Sequence, residues 1–269
     1  MKKKIMMLVL STIITMIAAG CGGQNSNASS TSKIQVIKVA GVHDAKPFTY
    51  IDDNGDLSGY DGDVLQAINK KLPEYKFEYS GMDQSAMLLG VESGKYDIGT
   101  CHLYKSAERA EKFLFPDQPS GYSDLKLITK KDRNDINSFA DLIGKKLVPI
   151  PSNDARYNIV QEYNKQHPDN PVKLEAIDSL GSADTFKMVA SGQYDAAIYP
   201  APAFEAVQKA LNLDIKLAGS IAKVPTYFVL NKKDTELKTK IDKALKELEQ
   251  DGTLSALSVK WYGEDVYKK

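Results

Sequence analysis

Few side chains in this sequence have the types and spacing to do chemistry. Cys101 and His102 are adjacent and follow a short strand-like run, residues 95–99. Set in a cleft, a thiol and an imidazole would touch a sulfur-containing or otherwise distinctive ligand group; packed inside, they are a buried Cys and a partly solvated His. His43, Asp44 and His102 would form an acid and base set if the fold brought them together. The sequence shows no nucleophile with an adjacent base, no metal-type spacing among its three histidines and no Gly-rich phosphate loop. Ser152, Asn153 and Asp154 precede a helical pattern over 155–165, so they can cap that helix while its free N–H groups face an anion. Taken alone, Arg109 reads as a surface residue of the charged stretch 105–112, paired with Glu108 or Glu111.

Positioning these groups falls to an α/β chain. Residues 34–40 read as a strand, Val64, Leu65, Ile68 and Leu72 recur at helical spacing, and 95–99 read as a second strand. The alternation returns with strands over 146–150, 172–177 and 194–199 around the 155–165 helix, so two similar lobes are expected. An internal echo supports this: Ser93-Gly94-Lys95-Tyr96-Asp97 recurs as Ser191-Gly192-Gln193-Tyr194-Asp195, each between a helical pattern and a strand. Each Gly would sit just past a helix end, where a positive φ is needed. Ligands of open α/β sheets bind beyond the carboxyl ends of the strands, which nominates 100–104 and 199–201, Tyr199 among them, as the two walls of one cleft. Leu237, Ile241, Leu245 and Leu248 mark a last helix that ends near Gly252.

The 269 residues carry 35 Lys plus Arg against 35 Asp plus Glu, a balance that offers nothing to nucleic acid. With 42% hydrophobic residues the composition is that of a globular protein. Residues 1–20 read as a signal peptide: Lys2, Lys3 and Lys4, an uncharged run over 5–19 too short for the ~20 residues of a membrane span, and small residues up to Gly20. Cys21 directly after Ala-Ala-Gly resembles the lipobox of bacterial lipoproteins, with Ala18 where Leu is usual. A diacylglycerol on Cys21 is the expected outcome, with 21–33 as lipidated Cys and flexible tether. Cys101 is then left without a partner, and no disulfide is expected.

Over nearly the whole remaining chain the sequence resembles the family 3 extracellular solute-binding proteins, the amino-acid receptors of ABC importers. The residues that carry the resemblance are Pro47-Phe48, Gly55 with Leu57 and Gly59-Tyr60-Asp61, the first echo, Glu108-Arg109 and Phe115-Pro116. The second half adds Ala140-Asp141-Leu142, Gly144-Lys145-Lys146, Asp195-Ala196-Ala197, Asp251-Gly252-Thr253-Leu254 and Lys260-Trp261-Tyr262-Gly263. Among subfamilies it looks most like the cystine-binding lipoproteins.

The resemblance implies a two-lobed periplasmic-binding-protein-like fold of type II. Lobe one would comprise 34–121 plus 226–269 and lobe two 122–225. Hinge strands would lie near 122–129 and 226–230, with the C-terminal helix packed on lobe one. It implies that Arg109 grips the ligand's α-carboxylate through its planar fork of donors. Cys101 and His102 would stand where relatives place small hydroxyl residues, and Gln84 would replace an aromatic platform with a polar contact. Phe48 would be wall or core, and the Ser152-Asn153-Asp154 loop would supply further carboxylate donors. Pro200 occupies the place of the acid that usually meets the ligand's ammonium, so either Asp44, Asp154 or Asp184 substitutes, Asp184 doubling as a helix N-cap, or the ligand is not a standard α-amino acid. The expected protein is a monomeric, non-enzymatic receptor without a cofactor, anchored to the extracytoplasmic face of the bacterial membrane. It would deliver a polar amino acid, cystine first, to ABC permease subunits. A solute-sensing receptor subunit and, further behind, a dehydratase-like enzyme share the fold. The residues up to Lys269 read as a charged helix and its tail rather than as the C-terminal apolar span such a sensor usually carries, so the importer receptor is the expectation.

Overall fold

The computed structural model describes residues 34–268, Asn153 excepted, so Cys21, the signal peptide, the tether and Asn153 lie outside the described residues. The chain opens with β1 (Gln35–Val42) and a small antiparallel sheet of β2 (Asp44–Ala45), β3 (Thr49–Ile51) and β4 (Leu57–Ser58). Then come α1 (Tyr60–Lys71), β5 (Tyr75–Met82), α2 (Gln84–Glu92), β6 (Ile98–Tyr104), α3 (Ala107–Lys112) and β7 (Gly121–Lys130). The middle holds β8 (Ile150–Pro151), α4 (Ala155–Gln166), β9 (Ala176–Ile177), α5 (Ser182–Ala190), β10 (Ala197–Pro200) and α6 (Ala201–Leu211). The chain closes with β11 (Ile215–Leu230), α7 (Thr235–Gln250) and α8 (Thr253–Tyr262).

Six strands form one sheet in the order β10-β7-β11-β6-β1-β5. Strand β1 lies parallel to β5 and β6, and it is buried at Ile37, Val39, Ala40 and Val42, as expected of a parallel strand covered on both faces. Val64, Leu65 and Ile68 of α1 meet Leu237, Ile241, Leu245 and Leu248 of α7 in one core, joined by Phe228 and Leu230 of β11. A second cluster, on the opposite face of the sheet, gathers Ala40, Met87, Leu103, Phe115 and Val229. Two other clusters are built from intervening sequence, one around Leu125, Ile150, Val160 and Ile198 and one around Ile128, Phe186, Phe204 and Ile215. Strands β7 and β11, paired from Ile215 and Lys130 to Thr226 and Gly121, contribute to both pairs of clusters, and the result is a two-lobed α/β fold.

The sequence echo is a structural one. Gly94 and Gly192 follow the ends of α2 and α5 with φ of 77° and 76°. Asp97 takes the Lys38 N–H on its side chain (2.6 Å) and gives its own N–H to the Lys38 carbonyl (2.9 Å). Asp195 does the same with Lys146, at 2.7 and 2.8 Å. Each turn thereby locks the start of one strand to its neighbour.

Several expected elements differ. The 95–99 strand starts only at Ile98 and continues to Tyr104, because β11 pairs with it beyond the point where β1 departs. The 146–150 and 172–177 strands contract to β8 and β9, which pair only through Ile150, Pro151, Ala176 and Ile177, with one further bridge from Leu147 to Ala196. The second hinge strand begins at Ile215 rather than 226, and a further helix, α8, follows Gly252. None of the described helices is long and apolar enough to cross a membrane.

Candidate functional site

The first wall of the site is shaped by a fault in a ladder. Between the pairs Gly99–Val229 and Leu103–Tyr227, three residues of β6, Thr100, Cys101 and His102, oppose the single Phe228 of β11. Such bulges re-aim side chains, and here His102 takes the left-handed backbone region, φ 51°. Asp61 holds the distorted segment from behind. Fully buried in the first turn of α1, its Oδ2 accepts from Thr100 Oγ1 and from the His102 N–H, both at 2.6 Å. Gly59 permits this approach: it adopts φ 99° and leaves no room for a side chain against the Phe48 carbonyl, so the 47–48 loop receives the Tyr60 and Asp61 N–H groups.

His102 itself is only 6% exposed. Its Nδ1 stands 3.7 Å from Asp61 Oδ1, and its ring lies flat beneath Phe48 with centroids 4.1 Å apart. Phe48 lines the cavity and also packs against the first core, so it is wall and core at once. Gln84 is at the start of α2, on the same cavity. Cys101 lines it too, half-buried. Burial, helped by the Asp61 charge, pushes its thiol up to about 12, so the thiolate needed for reaction is suppressed.

Arg109, on α3, lines the cavity and donates from Nη1 to the Tyr104 carbonyl at 2.8 Å. Glu108, a partner it would have on a plain surface, faces Lys112 instead at 4.0 Å. Among the described residues Arg109 has no carboxylate partner, which leaves a cation with free donors facing a space of about 510 Å³.

The opposite wall comes from the N-terminus of α4 and the ends of β9 and β10. Asp154 caps α4 by accepting the Arg156 N–H (2.9 Å) and also binds the Arg156 guanidinium twice, through Nε (3.0 Å) and Nη2 (2.6 Å). Nη1 of Arg156 donates to the Ile198 carbonyl at 3.0 Å, and the guanidinium lies 5.0 Å from the Tyr199 ring centre. Burial disfavours that cation, but the hydrogen bonds and charge of Asp154 outweigh it, and the Arg156 pKa stands above its ordinary value. Tyr104 reaches towards this wall, its hydroxyl donating to Ser123 Oγ at 3.0 Å and pushed up to about 12 by burial.

Of the residues named from sequence, Phe48, Gln84, Cys101, His102, Arg109, Asp154 and Tyr199 meet on this one cavity. Ser152 is exposed in the turn before α4 and does not line it. Asp44 is exposed on β2, against Tyr50, and lies off the cavity wall. Asp184 is corrected on two counts. Gly181 occupies the N-cap of α5, and Asp184 points into solvent one turn inside, 3.9 Å from Lys187. His43 turns away to Asp83, at 3.7 Å. Tyr104, the last residue of the nominated 100–104 segment, lines the cavity, and so do Arg156 and Asp178, which were not foreseen. Asp178 directly follows β9, so the strand-end rule that nominated 100–104 applied to it as well. Arg156 carried a subtler signal: a cation in the first turn of a helix opposes the macrodipole and calls for a compensating reason.

This arrangement can be set beside known proteins. The model of the bacterial extracellular solute-binding proteins, family 3, matches residues 37–264. The chain is 31% identical to the L-cystine-binding protein TcyK and 33% identical to the L-cystine-binding protein TcyJ, both of Bacillus subtilis, over 99% of its length and 98% and 97% of theirs. Among solved structures it is similar to the probable amino-acid ABC transporter extracellular-binding protein ytmK of Bacillus subtilis, with a TM-score of 0.75 and 31% identity over 87% of this chain and all of that one. The putative L-cystine ABC transporter of Listeria monocytogenes gives 0.65 and 34% over 88% and 99%. With the family model covering the described fold almost from end to end, the chain belongs to the family 3 bacterial extracellular solute-binding proteins.

Proposed function

We propose that this chain is the receptor of an ABC importer for a polar amino acid, with L-cystine as the first ligand to test. The observation that carries the reading is Arg109, a guanidinium without a carboxylate partner among the described residues, on a cavity lined from both sides of β7 and β11. An α-carboxylate entering there would find the planar donor fork it matches, and enclosure would strengthen the pair by removing water. The names of the relatives support cystine, and Cys101, Gln84 and Phe48 line the same cavity as Arg109. His102 acts behind Phe48, and Asp154 and Asp178 are the acids available to an ammonium in place of Pro200. Lobe one is assigned 34–121 plus 226–269 and lobe two 122–225, a division supported by the hydrophobic clusters, which change partners between Tyr122 and Leu125 and between Val224 and Tyr227. The protein is a monomer without catalytic function, tethered by a lipid on Cys21 to the extracytoplasmic face of the membrane, where it meets its permease.

A thermal-shift screen of the twenty amino acids plus L-cystine tests this. Ligand binding to the folded state alone raises the melting temperature by mass action. A rise with cystine at micromolar concentration is expected, and a flat response to the whole panel would refute the receptor assignment.

A further inference from the structure

Chain ends fray unless something ties them down, and here the last described residues are tied to both hinge strands. Gly263 closes α8 with φ 73°. Three residues on, Val266 is 2% exposed in the core built on α1 and α7, and its N–H donates to Ser258 Oγ of α8 at 3.1 Å. The Tyr267 hydroxyl donates to the Ser120 carbonyl at 2.9 Å, beside the Tyr60 hydroxyl on the same acceptor, and its ring stands edge-on to Tyr122. The segment is firmly seated in that core.

Its polar groups reach further. Glu264 faces Lys126 of β7 at 3.5 Å, and the Lys268 carbonyl accepts from Lys223 Nζ of β11 at 2.6 Å. Lys126 also pairs with Asp124 at 3.2 Å, and Asp124 accepts the Ser220 hydroxyl, so one run of contacts leads from β11 across β7 to the C-terminal segment. Burial disfavours the Lys126 cation, but Asp124 and Glu264 outweigh it and hold its pKa above the ordinary value. Both lysines lie just past the points where the hydrophobic clusters change partners, on the side away from the Val266 core. An apolar seat in one core thus carries polar contacts to strands that continue into the other. None of residues 264–268 lines the cavity, so these contacts act on the hinge without touching a ligand.

We propose that residues 264–268 are a brace across the hinge, which restrains the angle between the lobes through the Glu264–Lys126 and Lys268–Lys223 contacts. This rests on the lobe division above and adds to it a control of lobe movement that lies outside the ligand site. Ion pairs this close to solvent are individually weak, so the brace limits the range of angles without locking one.

Pulsed electron resonance on the full chain tests it without a ligand, with spin labels attached by non-cysteine chemistry at the exposed positions Glu92 and Lys187, one on each lobe. Glu264→Gln combined with Lys223→Met should give a distance distribution about twofold wider than the parent's, because the lobes then sample angles that the brace excludes. Lys76→Met removes an exposed ion pair to Glu78 within lobe one and should leave the width unchanged. Melting temperatures measured alongside confirm that each variant is folded. Equal widths for the parent and the double variant, or the same broadening from Lys76→Met, would overturn the brace. Saturating L-cystine separates this from the receptor reading. If cystine shortens the parent distance while the double variant is no wider than the parent, the receptor stands and the brace falls. If the distance ignores cystine while the double variant broadens, the brace stands and the cystine receptor falls.

Discussion

The two copies of the Ser-Gly-x-Tyr-Asp turn are alike in their hydrogen bonds and differ in the strands they lead into. After Asp97, β6 is clamped between β1 and β11 and bulges over the buried Asp61, so its cleft residues Cys101 and His102 are packed from behind. After Asp195, β10 is an edge strand of four residues that pairs with β7 and is tied on its other side by the Leu147–Ala196 bridge. That wall draws its charges from the first turn of α4 and the exposed end of β9. One wall presents a cleft surface fixed by an interior network, the other a surface fixed by the single Asp154–Arg156 ion pair. The repeated turn secures where a strand starts, and the burial behind the strand decides how stiff its ligand-facing end becomes.

The most damaging test of that contrast is Asp61→Asn. The amide keeps one oxygen for the two donors but removes the charge that strengthens both bonds, and hydrogen bonds to charged groups contribute roughly 1.5–3 kcal/mol against about 0.5–1.5 for neutral ones, so a fall in the urea midpoint is expected. A loss below about 1 kcal/mol would remove the interior network as the basis of the stiffness. Next in size is the Cys101 thiol. With its pKa raised from near 9 to about 12, roughly a thousandfold less thiolate exists at pH 8 than for a free cysteine, and alkylation should slow accordingly. The sign for stability follows from the same shift: the folded state binds this proton more tightly, so the contribution is complete below pH 9 and declines as pH rises towards 12. Labelling at the rate of an unfolded control would refute the packing.

Arg109→Ala should weaken cystine binding by about 2 kcal/mol or more, thirtyfold or more, since a carboxylate would be left desolvated without its partner. Arg109→Lys should recover only part of this, because the fork is lost. Calorimetry reads both, and an affinity within twofold of the parent for Arg109→Ala would dismiss the anchor. Smallest is Asp195→Asn in the second turn. Partial burial pushes its carboxylate up, but the bonds from the Lys146 N–H and Arg133 outweigh that and hold it below the usual range. About 1 kcal/mol is expected for losing one such bond near solvent. A cost equal to that of Asp61→Asn would erase the distinction between the two walls.

Legibility in the sequence followed the same division. The α1 and α7 helices and the two echo turns could be read directly, because periodic burial and a glycine at positive φ leave local marks. The bulge at 100–102 could not, since it depends on β11, more than a hundred residues away, passing opposite it. Asp61 was visible only as part of a motif, with nothing local to say that its carboxylate runs under a distant strand. On the second wall, capping by Asp154 was legible from its place before an apolar pattern. Its use of Arg156 as a second partner required knowing that the α4 N-terminus faces Ile198 and Tyr199. Asp184 misled because Ser182, rather than a residue after it, begins the helix.

The pairing of Ile98 with Leu230, and of α1 with α7, has a bearing on how the chain reaches its fold. The core that starts with Ile37 cannot close until residues beyond 228 exist, so on a ribosome or a translocation channel the first segment waits while the 125–217 clusters, contiguous in sequence, can already collapse. Contacts of such long sequence separation are slow to form. The core whose members are interrupted in sequence should therefore be the last to gain protection from hydrogen exchange during refolding. Its waiting strand β1, with Val36 exposed even at the end and Ile34 exposed just before it, is then open to wrong pairing in the interval.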